Sequence, residues 1–169
     1  MDAGSSFRSG HQARRRATTP CFSYCKAASG RFGGYKKVTG PATSAIKVLV
    51  IDDSNTIRRS AEIFLRQAGY EVILAEDGFD ALSKISDHKP QIIFVDIMMP
   101  RLDGYQTCAL IKQNPVFRST PVIMLSSKDG VFDRARGRLA GSDCYLTKPF
   151  TKEGLIQAVQ DYTTPAAAA

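Results

Sequence analysis

Short apolar runs, each stopping on a polar residue and each followed by a helix-like pattern, constrain this chain more than any other feature. Val48-Leu49-Val50-Ile51 stops on Asp52-Asp53, and Ile92-Ile93-Phe94-Val95 stops on Asp96. Val122 to Leu125 stops on Ser126, and Tyr145-Leu146-Thr147 stops on Lys148-Pro149. Runs that are continuously apolar, rather than alternating, mark strands covered on both faces. Such strands belong to a parallel sheet joined by helical crossovers.

Read in order from Ile46, the pattern predicts strands near 47–51, 71–75, 91–95, 122–125 and 143–147. Ser54 is placed to cap a first helix in which Ile57, Ala61, Phe64, Leu65 and Ala68 share a face, with Gly69 as its stop. Asp77-Gly78 opens a second helix carrying Ala81, Leu82 and Ile85, and Asp103-Gly104 leads into a third over 105–112. A fourth near 131–140 ends at Gly141, and a fifth covers 151–161. Crossovers between parallel strands are right-handed. Five βα units therefore predict an α/β, doubly wound, three-layer sandwich. Ligands in such sheets bind beyond the C-terminal strand ends, where the polar stops fall.

The charge is unevenly placed. Of 23 Lys and Arg and 16 Asp and Glu, residues 1–45 hold eight bases (Arg8, Arg14, Arg15, Arg16, Lys26, Arg31, Lys36 and Lys37) against one acid, Asp2. The rest is balanced at fifteen of each, so the formal charge of +7 belongs wholly to the N-terminal segment. That segment is rich in Gly, Ser, Thr, Ala and Arg without periodicity, and is expected to be disordered. No run approaches the ~18 apolar residues of a membrane helix, and no apolar signal core is present. Cys21, Cys25, Cys108 and Cys144 lack the partner spacing of a zinc site and are expected as free thiols of a cytoplasmic protein.

The polar stops make chemical sense together. Carboxylates held close repel one another unless a cation intervenes. Mg²⁺, hard and octahedral, suits such a cluster and keeps positions for phosphoryl oxygens. A carboxylate can then act as nucleophile towards phosphorus, with a lysine and a hydroxyl meeting the transferring group. Singly, each residue has a plainer reading. Asp52-Asp53 suits helix capping, Asp96 a turn before Pro100, and Ser126 and Lys148 a solvated loop. Their ordered placement at equivalent strand ends is what points to a phosphoryl-accepting site.

Val50-Ile51-Asp52-Asp53-Ser54, Val95-Asp96-Ile97-Met98-Met99-Pro100, Asp103-Gly104, Ser126-Ser127 and Lys148-Pro149-Phe150 resemble the receiver domain of bacterial two-component response regulators. The resemblance covers about 46–162. It implies a CheY-like, flavodoxin-like (βα)5 sheet of strand order 2-1-3-4-5. It implies Asp96 as phosphoacceptor, Ser126 as switch hydroxyl, Tyr145 as switch aromatic and Lys148 as the phosphoryl contact, with a cis bond to Pro149. It also implies Mg²⁺ held by Asp53, Asp96 and the backbone carbonyl of Met98, with Asp52 acting largely through water. Met98 and Lys128 fall where the family tunes hydrolysis. On this resemblance the chain is a phosphoacceptor that catalyses its own phosphorylation and dephosphorylation, not a conventional enzyme.

Longer stretches, Asp77 to Leu82, Ile92 to Pro100 and Arg101 to Lys112, are similar to the CheY-like regulators of type IV pilus twitching motility in proteobacteria. That similarity implies a chemotaxis-type hybrid histidine kinase as phosphodonor. Output is expected through helix 4, strand 5 and helix 5 onto a pilus motor or regulatory protein, from a monomer without DNA binding or membrane insertion. A phosphorelay intermediate and a flagellar-motor regulator are the alternatives. Residues 1–45 admit three readings: a basic arm, an inert extension, or an upstream mis-assigned start with Val38 as the true one. Residues 163–169 are expected as a short disordered tail.

Overall fold

The computed structural model describes residues 45–127 and 131–163, with backbone alone for Val131 and Phe132. The expected basic extension, apart from Ala45, lies outside the described residues, as do Lys128 and the tail beyond Thr163. Five strands and five helices alternate: β1 (Lys47–Ile51), α1 (Asn55–Gln67), β2 (Glu71–Ala75), α2 (Gly78–His88), β3 (Ile92–Asp96), α3 (Gly104–Gln113), β4 (Val122–Ser126), α4 (Val131–Leu139), β5 (Cys144–Thr147) and α5 (Lys152–Thr163). All strand pairs are parallel, in the order β2-β1-β3-β4-β5.

Side chains of a strand point alternately to its two faces, and the core divides accordingly. Leu49, Ile51, Ile93, Val95, Val122 and Met124 pack with Ala81 and Ile85 of α2 and Cys108 and Ile111 of α3. Val48, Val50, Ile92, Phe94, Ile123 and Leu125 pack on the other face with Ala61 and Leu65 of α1 and Leu155 and Val159 of α5. Burying one such aliphatic side chain stabilises the fold by about 1.5–3 kcal/mol. The continuous apolar runs are thus explained: both faces of β1, β3 and β4 are covered.

Several boundaries differ from the sequence expectation by a residue or two. Most consequentially, β3 and β4 include Asp96 and Ser126, because the ladder continues past them: Ile97 N–H donates to the Leu125 carbonyl at 3.1 Å. Both polar side chains therefore project from strand backbone rather than from loops. In α1, Ser54 holds the capping position, but its side chain makes no cap hydrogen bond. Its backbone N–H donates to Asp52 Oδ1 at 2.9 Å. Ala68 lies past the last full turn and is exposed, while Gly69 takes the left-handed φ of 91° that ends the helix. The other two expected helix starts do cap: Asp77 accepts from Asp80 N–H, and Asp103 forms a reciprocal box with Gln106.

Candidate functional site

The strand order brings the polar stops together. Ile51 is in register with Val95, so Asp52 and Asp96 follow as neighbours. Asp96 is in register with Leu125, and Ser126 with Thr147. Carboxylate oxygens of Asp52, Asp53 and Asp96 all lie within 4.8 Å of one another. Asp52 and Asp96 are buried and Asp53 faces solvent. Lys148, the residue after β5, reaches across the sheet end. Its Nζ donates to Asp52 Oδ2 at 2.5 Å and lies 2.8 Å from Asp96 Oδ1. Its N–H donates to the Ser126 carbonyl at 2.6 Å, and its bond to Pro149 is cis.

Electrostatics follow from this packing. Burial pushes the Asp96 carboxyl above the ordinary carboxylate range, the Lys148 ammonium pulls it back, and the Asp52 and Asp53 charges add to the rise. For Lys148, burial works against the charged form. The hydrogen bonds and charges of Asp52 and Asp96 outweigh it, and its pKa is raised. The ammonium therefore stays charged and acts as the internal counter-ion of the cluster.

Supporting contacts hold the acids in place. Gly104, the first residue of α3, sits so close to β3 that a Cβ there would be 2.3 Å from the Asp96 carbonyl oxygen. Arg58, one turn into α1, donates from Nη1 to the carbonyls of Asp52 at 2.5 Å and Asp53 at 3.2 Å. Sequence reasoning passed over Arg58; its signal was a basic residue one turn after an acid pair. Met98 and Asp53 line a cleft of about 380 Å³ at the mouth of the cluster, with Tyr105 and Arg136 on its wall. Met98 is 62% exposed. Tyr145 lies on β5, three residues before Lys148. It packs against the core on the α2 and α3 face, with the Arg134 guanidinium 5.9 Å from its ring centroid.

Three hard carboxylate oxygens around one point, one of them reachable from solvent, fit Mg²⁺ by donor type and spacing. Soft ligands are missing from this group, which disfavours zinc or copper. Among the described residues no helix is long and apolar enough to cross a membrane.

Comparison with known proteins agrees with this chemistry. The response regulator receiver domain family matches residues 48–160. Protein PilG of Pseudomonas aeruginosa is 69% identical over 118 residues, covering 70% of this chain and 87% of PilG. The alkaline phosphatase synthesis transcriptional regulatory protein PhoP of Bacillus subtilis is 41% identical over 105 residues, covering 62% of this chain but 43% of PhoP. Among solved structures, the chemotaxis protein CheY4 of Vibrio cholerae superposes with a TM-score of 0.68 at 32% identity, covering 70% of this chain and 99% of CheY4. The receiver domain of the Pseudomonas aeruginosa sensor histidine kinase PA1611, which has a magnesium ion coordinated in its active-site cleft, gives 0.66 at 29% identity over 70% and 98% of the two chains.

Proposed function

The chain belongs to the response regulator receiver domain family, and on that premise we propose that it is a signalling regulator that takes a phosphoryl group on Asp96. Receiver domains are signalling phosphoacceptors that bind Mg²⁺ at an acidic pocket, and Asp52, Asp53 and Asp96 form such a pocket here. The observation that carries the reading is the Asp96 carboxylate, buried at a strand end with Lys148 2.8 Å away and two further acids beside it.

In the proposed reaction an Asp96 carboxylate oxygen attacks the phosphorus of a phosphohistidine on the donor kinase. The P–N bond breaks, the imidazole leaves, and an acyl phosphate forms. Asp53, Asp96 and the Met98 carbonyl would hold Mg²⁺, with Asp52 behind them, and the bound cation would neutralise the acids and the transferring oxygens. Lys148 supplies the second positive centre. The Ser126 hydroxyl donates to a phosphoryl oxygen, and Tyr145 follows its movement on the output side. Phosphorylation replaces one negative charge by about two and adds acceptor oxygens. That change biases the α4–β5–α5 face towards a partner. A coupling of about 1.4 kcal/mol already changes affinity for that partner tenfold.

PilG's 69% identity over most of its length supports a role in type IV pilus twitching motility, with a chemotaxis-type hybrid histidine kinase as donor and a pilus motor or regulatory protein as target. The domain boundaries proposed are 46–162 for the receiver, flanked by residues 1–45 and 163–169. The test is the intact mass of the protein with Mg²⁺ and a small phosphodonor, beside Asp96→Asn. Gain of one phosphoryl group in the unchanged chain alone is the expected result, and an equal gain in the variant sinks the assignment. For the output, Asp96→Asn in the native host should abolish surface twitching and leave swimming intact; the reverse pattern would favour a flagellar role.

A further inference from the structure

We propose that Asp77 and Arg101 form a brace that positions the loop between β3 and α3, and through it sets the affinity of the acidic pocket for Mg²⁺. The inference rests on the reading of that pocket as a Mg²⁺ site. Arg101 lies in the loop that carries Met98, five residues past Asp96. Its backbone adopts a left-handed φ of 68°, a conformation costly for any residue bearing a side chain. The local shape is therefore one the surroundings must hold.

The Arg101 guanidinium pairs with Asp77 Oδ2, whose side chain is 7% exposed. The same carboxylate caps α2, Oδ1 accepting from Asp80 N–H at 2.8 Å. One carboxylate thus joins a helix start to the loop. Its pKa is lowered, first by the Asp80 N–H bond and then by the Arg101 charge, against the cost of burial. Close packing makes the anchor firm. A Cβ on Gly78, the next residue, would lie 2.4 Å from Thr107 Oγ1 and 2.6 Å from Leu102 Cδ2. The start of α2 is therefore seated directly on the loop and on α3.

Within the loop, Gly104 N–H donates to the Ile97 carbonyl at 3.1 Å and Leu102 N–H to the Pro100 carbonyl at 2.8 Å. Met98 lies inside this span with its side chain largely in solvent, so side-chain packing does little to hold it. The placing of its carbonyl depends on the backbone around it, and Arg101 ties that backbone to a second element. Mg²⁺ demands near-ideal octahedral geometry, so a small shift of one ligand weakens binding.

The experiment is calorimetric titration of Mg²⁺ into the full chain and into Asp77→Asn, Arg101→Gln, the double variant and Arg101→Lys, with Asp53→Asn marking the site. Asparagine keeps the helix cap, and Arg101 is 65% exposed, so circular dichroism should show all variants folded. Each single variant should weaken Mg²⁺ binding about tenfold, the low end for partners behind a metal ligand. The double variant should be no weaker than the weaker single one, and Arg101→Lys should recover most of the affinity. Singles within about twofold of the unchanged chain, or a double equal to the product of the singles, would overturn the brace alone. Failure of the unchanged chain to bind Mg²⁺, or binding that survives Asp53→Asn, would overturn the site reading beneath it.

Discussion

The acid side of the site and its hydroxyl side are built by different means. On the acid side, β3 is buried throughout, Asp52 is fully buried, and α3 is pressed onto the Asp96 backbone so tightly that glycine alone fits at 104. On the hydroxyl side, Cys144, Tyr145 and Thr147 of β5 are half-buried. There α4 meets its neighbours through stacked guanidinium groups and a phenol. The Arg136 guanidinium lies 4.7 Å from the centroid of the Tyr105 ring, and Tyr105 OH donates to Asp133 at 3.3 Å. Backbone packed on backbone admits one arrangement. Stacked cation–aromatic contacts are worth only about 0.5–1 kcal/mol at exposed sites, so one arrangement exchanges for another at low cost. A switch needs both: a fixed seat for the chemistry and a neighbour with two positions.

The contrast can be broken most directly at the glycines of the two sides. Gly104→Ala should destabilise the chain by about 3 kcal/mol, because the new methyl meets backbone that cannot retreat. Urea denaturation would show it, and full stability would mean the acid side is looser than described. Lys148→Met comes next. It leaves Asp52 and Asp96 facing each other without their counter-ion, and should slow phosphoryl uptake from a small donor about 100-fold. A mass-resolved time course measures this; an unchanged rate would remove Lys148 from the chemistry.

Smaller effects belong to the other side. Tyr105→Phe should cost about 1 kcal/mol by removing the bond to Asp133. The Tyr105 pKa is pushed up to about 12, first by burial and then by the Asp133 charge, against about 10 in the unfolded chain. Its contribution is therefore full below about pH 10 and lost as pH rises towards about 12. Urea midpoints across that window should fall more steeply for the unchanged chain than for the variant. Gly137→Ala in α4 should be smallest. Its Cβ would meet the Met124 Sδ and Ser142 Oγ at 3.1 Å, both side-chain atoms. That crowding is offset by the ~1 kcal/mol that alanine gains over glycine in a helix. A loss as large as that at Gly104 would erase the distinction between the sides.

The strands and their polar ends were legible because burial on both faces leaves a continuous apolar run, and such runs are rare outside a covered parallel sheet. Asp96 and Ser126 were readable as strand ends, though the ladder reaches one residue further than the hydrophobic run suggests. What escaped was everything that depends on a distant partner. Glu62 is buried on α1 between Arg59 and Arg66, where helical periodicity alone calls for an apolar or exposed residue. Arg58 and Arg101 gain their meaning only from the fold, which shows the carbonyls and the acid they reach. Ser54 had the right residue type and holds the capping position, yet its hydroxyl accepts no N–H from the first turn of the helix.

Lys148 comes from the end of the last strand, while the acids it neutralises lie at the ends of the first and third. A chain synthesised from its N-terminus therefore exposes Asp52, Asp53 and Asp96 to the ribosome exit long before their counter-ion is made. Until β5 joins β4, Lys148 cannot sit between Asp52 and Asp96. Completion of the sheet by β5 and delivery of the lysine to Asp52 and Asp96 are therefore a single step of assembly.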